Sequence, residues 1–275
     1  MKNYLILGGD DRQIHLAEKI KAIGEKTTIY GDGSQDFSLE TAIGNADIII
    51  CPVPFTKDRK NIFSDRGISN LSISDFLRVI GSKHTVFGGN IPANVKIQLD
   101  TKCVKFFDFM EMEEVCIKNA IATAEGAIAE GIRQSDINLH QSKCLVLGYG
   151  RCGKMLAQKL KSLDAKVTVG GRDDRKLAYA MAFGLETIQI KALKNFIGAF
   201  DFVFNTVPER IVEKDLIDLM KKDVSVLDIA SLPGGVDLNY CKDVGIKAGL
   251  YLGIPGKYAP KASADILFDA MMQVL

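Results

Sequence analysis

Short apolar runs alternate with segments of helical period along the chain, and this alternation predicts strands and helices in turn. Strands are predicted at residues 4–7, 26–30, 46–51, 85–87 and 104–107, and again at 144–147, 166–169, 202–204 and 225–228. After the first strand Ile14, Leu16, Ala17, Ile20 and Ile23 recur at helical spacing. Residues 111 to about 132 read as one long helix without proline, with Ile117, Ile121, Ala124, Ile128 and Ile132 on one face. Residues 261–275 read as a closing amphipathic helix on Ala262, Ile266, Ala270 and Val274. Strands separated by helices imply parallel sheets whose binding crevice lies outside the carboxyl ends of the strands. The long helix is expected to carry the chain from a first lobe to a second, and the closing helix to return to the first. The expected domains are residues 1–118 with 258–275, and residues 119–257.

The most informative turn is Gly148-Tyr149-Gly150-Arg151-Cys152-Gly153, which ends one predicted strand and opens a helix. In a dinucleotide-binding βαβ unit Gly148 permits the tight turn, Gly150 lets a pyrophosphate approach the backbone, and Gly153 lets the helix pack closely. The helix N-terminus then offers N–H groups and a favourable dipole to an anion. The first strand ends similarly in Gly8-Gly9-Asp10-Asp11-Arg12, but two carboxylates stand where a phosphate would meet the helix. They cap a helix well and repel a phosphate, so the first lobe is read as related but without a nucleotide. The fold class is therefore α/β, with two Rossmann-like doubly wound lobes built on parallel sheets.

Composition narrows the partners. With 35 Lys plus Arg against 34 Asp plus Glu in 275 residues, nothing points to nucleic acid or a membrane surface. The first apolar run is too short for a signal peptide and no run approaches a membrane span, so a cytoplasmic protein is expected. The six cysteines lack Cys-x-x-Cys spacing and read as small core residues, with neither a disulfide framework nor a metal site.

The second strand of the later lobe ends in Gly170-Gly171-Arg172, where an NAD enzyme commonly carries an acidic residue for the ribose 2′-hydroxyl. A guanidinium there suits a 2′-phosphate, so NADP is favoured over NAD. Asn205-Thr206-Val207-Pro208 leaves the next crevice strand and suits the nicotinamide half, and Ser231 opens a turn after the strand beyond it. The loops Cys51-Pro-Val-Pro-Phe-Thr-Lys-Asp-Arg59 and Gly88-Gly-Asn-Ile-Pro92 leave strand ends in the first lobe, where they serve equally well as substrate contacts or plain connectors. His15, His84 and His140 lie outside the crevice loops and are read as structural.

Several stretches together resemble the A subunit of dipicolinate synthase, a sporulation enzyme family. They are Gly8-Gly-Asp-Asp-Arg-Gln13, Asn119-Ala-Ile-Ala-Thr-Ala-Glu-Gly126, the glycine turn, Val169-Gly-Gly-Arg172, Asn205-Thr-Val-Pro208, Asp228-Ile-Ala-Ser-Leu-Pro-Gly-Gly-Val-Asp237 and Gly253-Ile-Pro-Gly-Lys-Tyr-Ala-Pro-Lys261. The resemblance implies oxidation of dihydrodipicolinate, a small dicarboxylate of the lysine pathway branch, to dipicolinate, with NADP as hydride acceptor. It further implies a partner, the flavoprotein-like B subunit, and action in the mother cell; a homo-oligomer is also expected. For such a substrate Lys261, Lys257, Thr123, Arg12 and Ser231 are the candidates to hold carboxylates, and Glu125 is a candidate base or simply the helix's polar face. The proline-rich residues 52–56 and the pair Glu209-Arg210 depart from the family pattern. Two other readings stay open: another two-lobe NADP-dependent dehydrogenase of a small carboxylic acid, and a non-catalytic NADP-binding regulator.

Overall fold

The computed structural model describes residues 1–30, 37–65 and 71–275. They form two compact units, residues 1–118 with 259–275, and residues 119–258. The first unit is built on five parallel strands, β1 (Asn3–Leu7), β2 (Lys26–Tyr30), β3 (Ile48–Ile50), β4 (Thr85–Gly88) and β5 (Lys105–Asp108), in the order β2-β1-β3-β4-β5. Helices α1 (Asp11–Ala22), α2 (Leu39–Gly44), α3 (Ile73–Val79) and α4 (Ala93–Thr101) connect them. Successive side chains of a strand point to opposite faces, and both faces here are covered. Leu5 and Leu7 join the core under α2 and α3, whereas Tyr4 and Ile6 join a second core with Leu16 and Ile20 of α1.

Helix α5 (Glu113–Gln134) leads into six parallel strands, β6 (Lys143–Leu147), β7 (Lys166–Gly171), β8 (Glu186–Gln189), β9 (Phe202–Asn205), β10 (Ser225–Asp228) and β11 (Lys247–Leu250). Their order is β11-β10-β9-β6-β7-β8, which is the doubly wound dinucleotide-binding order read from its far edge. The order reverses between β6 and β9, and ligands of such sheets bind outside the carboxyl ends at that point. The helices are α6 (Arg151–Ser162), α7 (Asp174–Ala182), α8 (Lys214–Ile217), α9 (Leu238–Asp243) and α10 (Ile254–Tyr258). Helix α11 (Pro260–Val274) then packs on α1 in the first unit, where Lys19 Nζ meets Asp265 Oδ1 at 2.6 Å.

Two strands escape the sequence pattern. β8 and β11 are the edges of the second sheet, four residues each and only partly covered, so neither carries a continuous apolar run. The faces of two helices also differ from expectation. On α5, Ile117, Ile121 and Ile132 are exposed, and the buried row is Cys116, Ala120, Ala124, Ala127 and Ile128. Small residues let the helix lie close to the sheet: a Cβ on Gly131 would stand 3.2 Å from the Phe204 ring. On α11 the buried residues are Ser263, Ala264, Leu267 and Met271, with Ala262 exposed and Ile266, Ala270 and Val274 at the margin. Alanine counts equally in both registers, so periodicity alone does not choose between them. Residues 109–111 form a separate 3₁₀ turn before α5 starts at Glu113.

Candidate functional site

In the second unit β6 ends in a turn that only glycine permits. Gly148 has φ +92°, and a Cβ there would lie 2.5 Å from Thr206 Oγ1. Gly153 sits in the first turn of α6, and its Cβ would lie 2.2 Å from the Gly148 carbonyl oxygen. Thr206 pins the turn from β9, donating its backbone N–H and its hydroxyl to the Leu147 carbonyl at 2.9 and 2.8 Å. Gly150 differs from both. It has an ordinary φ of −84°, and among the described residues nothing lies within 4 Å of where its Cβ would be. That space, at a helix start whose N-cap residue has no side chain to cap it, is what close approach of a pyrophosphate requires. The α1 N-terminus is filled instead: Asp10 caps it, Gln13 completes a capping box, and a Cβ on Gly9 would strike Gln13 at 2.2 Å.

Beside the glycine turn lies a cleft of about 180 Å³, lined by Gly148, Tyr149, Gly171, Arg172, Lys176, Leu177, Ile190, Val207 and Glu209 among others. The Tyr149 side chain is itself buried, with Lys154 Nζ 5.7 Å from its ring centre. Arg172 follows the end of β7 and donates from Nη1 to Glu209 Oε2 at 2.5 Å. Asp173 caps α7 by accepting from the Arg175 and Lys176 N–H groups, and Asp174 accepts from the Gln189 amide.

Asn205 shapes the crevice without presenting its amide to it. Its Nδ2 donates to the Val207 carbonyl and to Asp228 Oδ1 at 2.9 and 2.8 Å, and its Oδ1 accepts from the Val207 N–H. Asp228, 1% exposed, also accepts from the N–H groups of Ala230, Gly235 and Val236. A Cβ on Gly235 would stand 2.5 Å from the carbonyl oxygens of both Val207 and Glu209. One buried carboxylate therefore joins the loop after β9 to the loop after β10. Thr206 and Val207 are half-buried, while Pro208 and Ser231 are exposed.

The residues proposed for substrate carboxylates have mixed placements. Arg12 is buried, pairs bidentately with Asp10 at 2.8 and 2.6 Å and donates to the Val53 carbonyl. It braces the proline-containing loop, and a ligand carboxylate would compete with Asp10 for it. That loop is bonded in turn to the turn after β4, with Phe55 N–H donating to Gly89 O at 2.6 Å. Thr123 donates its hydroxyl to the Asn119 carbonyl at 2.9 Å, one helical turn back. Glu125 is exposed and held by Lys159 at 2.7 Å. Lys261 is exposed at the start of α11 and makes no hydrogen bond or ion pair among the described residues. Lys257 donates to Glu130 Oε1 at 2.7 Å, and Arg133 holds the other carboxylate oxygen.

Burial alone would push the Glu130 carboxyl up; hydrogen bonds from Lys257, Tyr258 and Arg133 overcome it and hold it at about 2, below its ordinary 4.5. A depressed carboxyl contributes stability that is fully present above the ordinary value and is lost as pH falls through the folded one. Acid unfolding between pH 4.5 and 2 is therefore expected to be steeper for the native chain than for Glu130→Gln, as followed by circular dichroism. Equal slopes would remove Glu130 from the acid response.

Sequence reasoning passed over Asn119 and Glu209 as site residues. Asn119 is 8% exposed, and its Oδ1 is buried without a hydrogen-bond partner among the described residues. Buried polar atoms are paired in the great majority of cases, so an orphan calls for an explanation. Helix α5 runs opposite to the strands, with Gly131 against Phe204 and Leu227. Thr123 lies about 12 Å back along the axis, on the side of the strands' carboxyl ends, and Asn119 lies one turn further. Of the histidines, His84 is buried against the Ile43 and Gly81 carbonyls, and His15 and His140 meet Glu18 and Asp164. Four cysteines are buried and burial raises the Cys51, Cys144 and Cys241 thiols, the last two to about 11. Cys103 departs from the expected core placement, exposed in a left-handed turn. Among the described residues no helix is long and apolar enough to cross a membrane.

Comparison with known proteins places this geometry. Residues 3–110 match the family model of the N-terminal domain of the dipicolinate synthase A subunit, and residues 119–249 match that of the S-adenosyl-L-homocysteine hydrolase NAD binding domain. The chain is 31% identical to the dipicolinate synthase A subunit of Bacillus subtilis (strain 168), over 98% of this chain and 94% of that protein. The crystal structure of the dipicolinate synthase A subunit from Bacillus halodurans superposes with a TM-score of 0.88 at 29% identity, covering 99% of this chain and 97% of that one. A transhydrogenase from Sinorhizobium meliloti, at a TM-score of 0.70 and 15% identity over 98% of this chain and 93% of its own, shares the fold. The second unit is accordingly an NAD-binding, dehydrogenase-like domain, and a nicotinamide dinucleotide is the cofactor class it serves.

Proposed function

The chain belongs to the family of the dipicolinate synthase A subunit, and from that premise we propose that it oxidises dihydrodipicolinate to dipicolinate with NADP. The observation that carries this reading is the open glycine turn at Gly150 beside a cleft with Arg172 at its mouth. When bound there, the oxidised nicotinamide supplies the hydride acceptor. The chain supplies position. Backbone N–H groups at the start of α6 hold the pyrophosphate, with Gly148, Gly150 and Gly153 giving it room. Arg172 takes the 2′-phosphate through charge-assisted bonds, and Gly171 keeps the strand end low beside it. Val207 lines the cleft beside Arg172, and Thr206 and Pro208 form the proposed wall toward the nicotinamide, held in shape by Asn205 and Asp228; Ser231 stands on the opposite loop.

On the substrate side, Lys261, with no partner among the described residues, is the cation proposed for a carboxylate. Thr123 and Asn119 offer polar groups on one face of α5, where the orphaned Asn119 Oδ1 accepts an N–H or O–H donor. Lys257 and Arg12 support through their ion pairs. Glu125, the candidate base, is paired with Lys159 at the surface; loss of the ring proton to solvent needs no dedicated base, because aromatisation drives the reaction. A separate B subunit of flavoprotein type is the proposed partner.

The test is direct. With freshly generated dihydrodipicolinate, the B subunit and NADP, absorbance of both dipicolinate and reduced nicotinamide is expected to rise together. Growth of neither, with bound nucleotide confirmed by calorimetry, would reject the dehydrogenase reading. Arg172→Asp is expected to weaken NADP binding on the order of tenfold or more while changing NAD binding far less; equal losses would reject Arg172 as the 2′-phosphate ligand.

A further inference from the structure

The cation at the mouth of the cleft is already engaged. Arg172 Nη1 bonds Glu209 Oε2 at 2.5 Å, and its other donors have no partner among the described residues. The nearby carboxylates are occupied elsewhere, Asp173 by the α7 N–H groups and Asp174 by Gln189. Glu209 stands on the loop after β9, fixed at its base by the Asp228 network, while Arg172 follows the end of β7, so the pair joins two segments that line the cleft. Both side chains are more than half exposed, at 60% and 63%, and such a pair is weak and easily exchanged. A carboxylate on an arginine at this place occupies the charge position of a 2′-phosphate. It repels a second anion there, and it can accept from a free 2′-hydroxyl.

We infer that Glu209 is a selectivity residue of the dinucleotide cleft, an internal counter-ion to Arg172 that a 2′-phosphate must displace and that lowers the preference for NADP over NAD. This rests on the reading of the cleft as the adenosine end of an NADP site. The chemistry assigns opposite roles to the two residues: Arg172 attracts the phosphate, and Glu209 sets how much of that attraction is left.

The test is a calorimetric titration of the full chain with adenosine 2′,5′-bisphosphate and, separately, adenosine 5′-monophosphate, which differ in the 2′-phosphate alone. Glu209→Gln keeps size and hydrogen-bonding capacity and removes the charge. It is expected to tighten the bisphosphate about fivefold, the scale of one exposed ion pair, to leave the monophosphate unchanged or slightly weaker, and to lose its advantage in high salt. Glu209→Asp should fall back toward the native values. Unchanged or weakened bisphosphate binding in Glu209→Gln would overturn the inference, the weakened case making Glu209 a brace for Arg172. Failure of the native chain to bind either nucleotide would instead reject the cleft itself, so the two failures are separable. Melting temperatures of the variants accompany the titrations, and an unstable Glu209→Gln is replaced by Glu209→Ala, for which the same shift is expected.

Discussion

Asp228→Ala is expected to destabilise the second unit by about 3–5 kcal/mol, because several buried N–H donors lose their acceptor and the loops recover only part of that loss. The carboxylate lies inside the protein and accepts from Asn205 Nδ2 at 2.8 Å and from the N–H groups of Ala230, Gly235 and Val236 at 3.1, 2.7 and 3.1 Å. Removal leaves four donors facing a small void, and each buried donor without an acceptor costs roughly 1–3 kcal/mol before the loops relax. The loss is a large share of a domain's typical stability of about 5–15 kcal/mol. Asp228→Asn retains the shape and one acceptor oxygen but turns an NH₂ toward other N–H groups, so an intermediate loss is expected. Denaturant midpoints measure this, and nucleotide titration adds a second readout. The same carboxylate holds the base of the loop carrying Val207 and Glu209, so dinucleotide affinity should fall even where the variant remains folded. An Asp228→Ala chain with native midpoint and native affinity would show that the two loops hold their shape without it.

The Asp228 network also illustrates what is legible in a sequence. The central strands are legible because they are covered on both faces and must be apolar throughout, as in Leu145-Val146-Leu147, where alternate residues enter different cores. The glycine turn is legible because each glycine answers a local steric demand that spacing records. The edge strands β8 and β11 are not, since half-exposed strands tolerate polar residues. Nor is the buried face of α5, where alanine and glycine do the packing and the larger isoleucines face outward. Pairing over long separations is hidden altogether. Arg172 and Glu209 are 37 residues apart, and Lys257 and Glu130 are 127 apart; nothing in either local pattern announces the partner. A cationic residue read from sequence as a free ligand thus turns out to be shared with a carboxylate of its own fold. Asn205 shows the converse: its place at a strand end suggests a ligand contact, while its amide is spent on Val207 and Asp228.

The glycine turn separates demands of the fold from demands of a ligand, and two alanine substitutions are expected to part them. Gly153→Ala would place a methyl 2.2 Å from the Gly148 carbonyl oxygen. Helix α6 would have to shift away from β6, at the roughly 1–3 kcal/mol typical of overpacking, and binding would fail along with stability. Gly150→Ala meets nothing within 4 Å among the described residues, and its φ of −84° suits any residue. The folded chain should accept it with a melting temperature close to the native one, because the roughly 0.4–1 kcal/mol gained by restricting the unfolded state is offset by alanine's poorer fit than glycine at the N-cap of α6. Dinucleotide affinity, by contrast, should drop on the order of tenfold to a hundredfold, since the methyl fills the side from which the pyrophosphate reaches the backbone N–H groups. Thermal melts and calorimetric titration with NADP and NAD measure the two quantities on the same samples. A Gly150→Ala chain that binds both nucleotides at native affinity would mean that the open space at Gly150 is not a phosphate cradle, and the anion would have to be sought away from the start of α6.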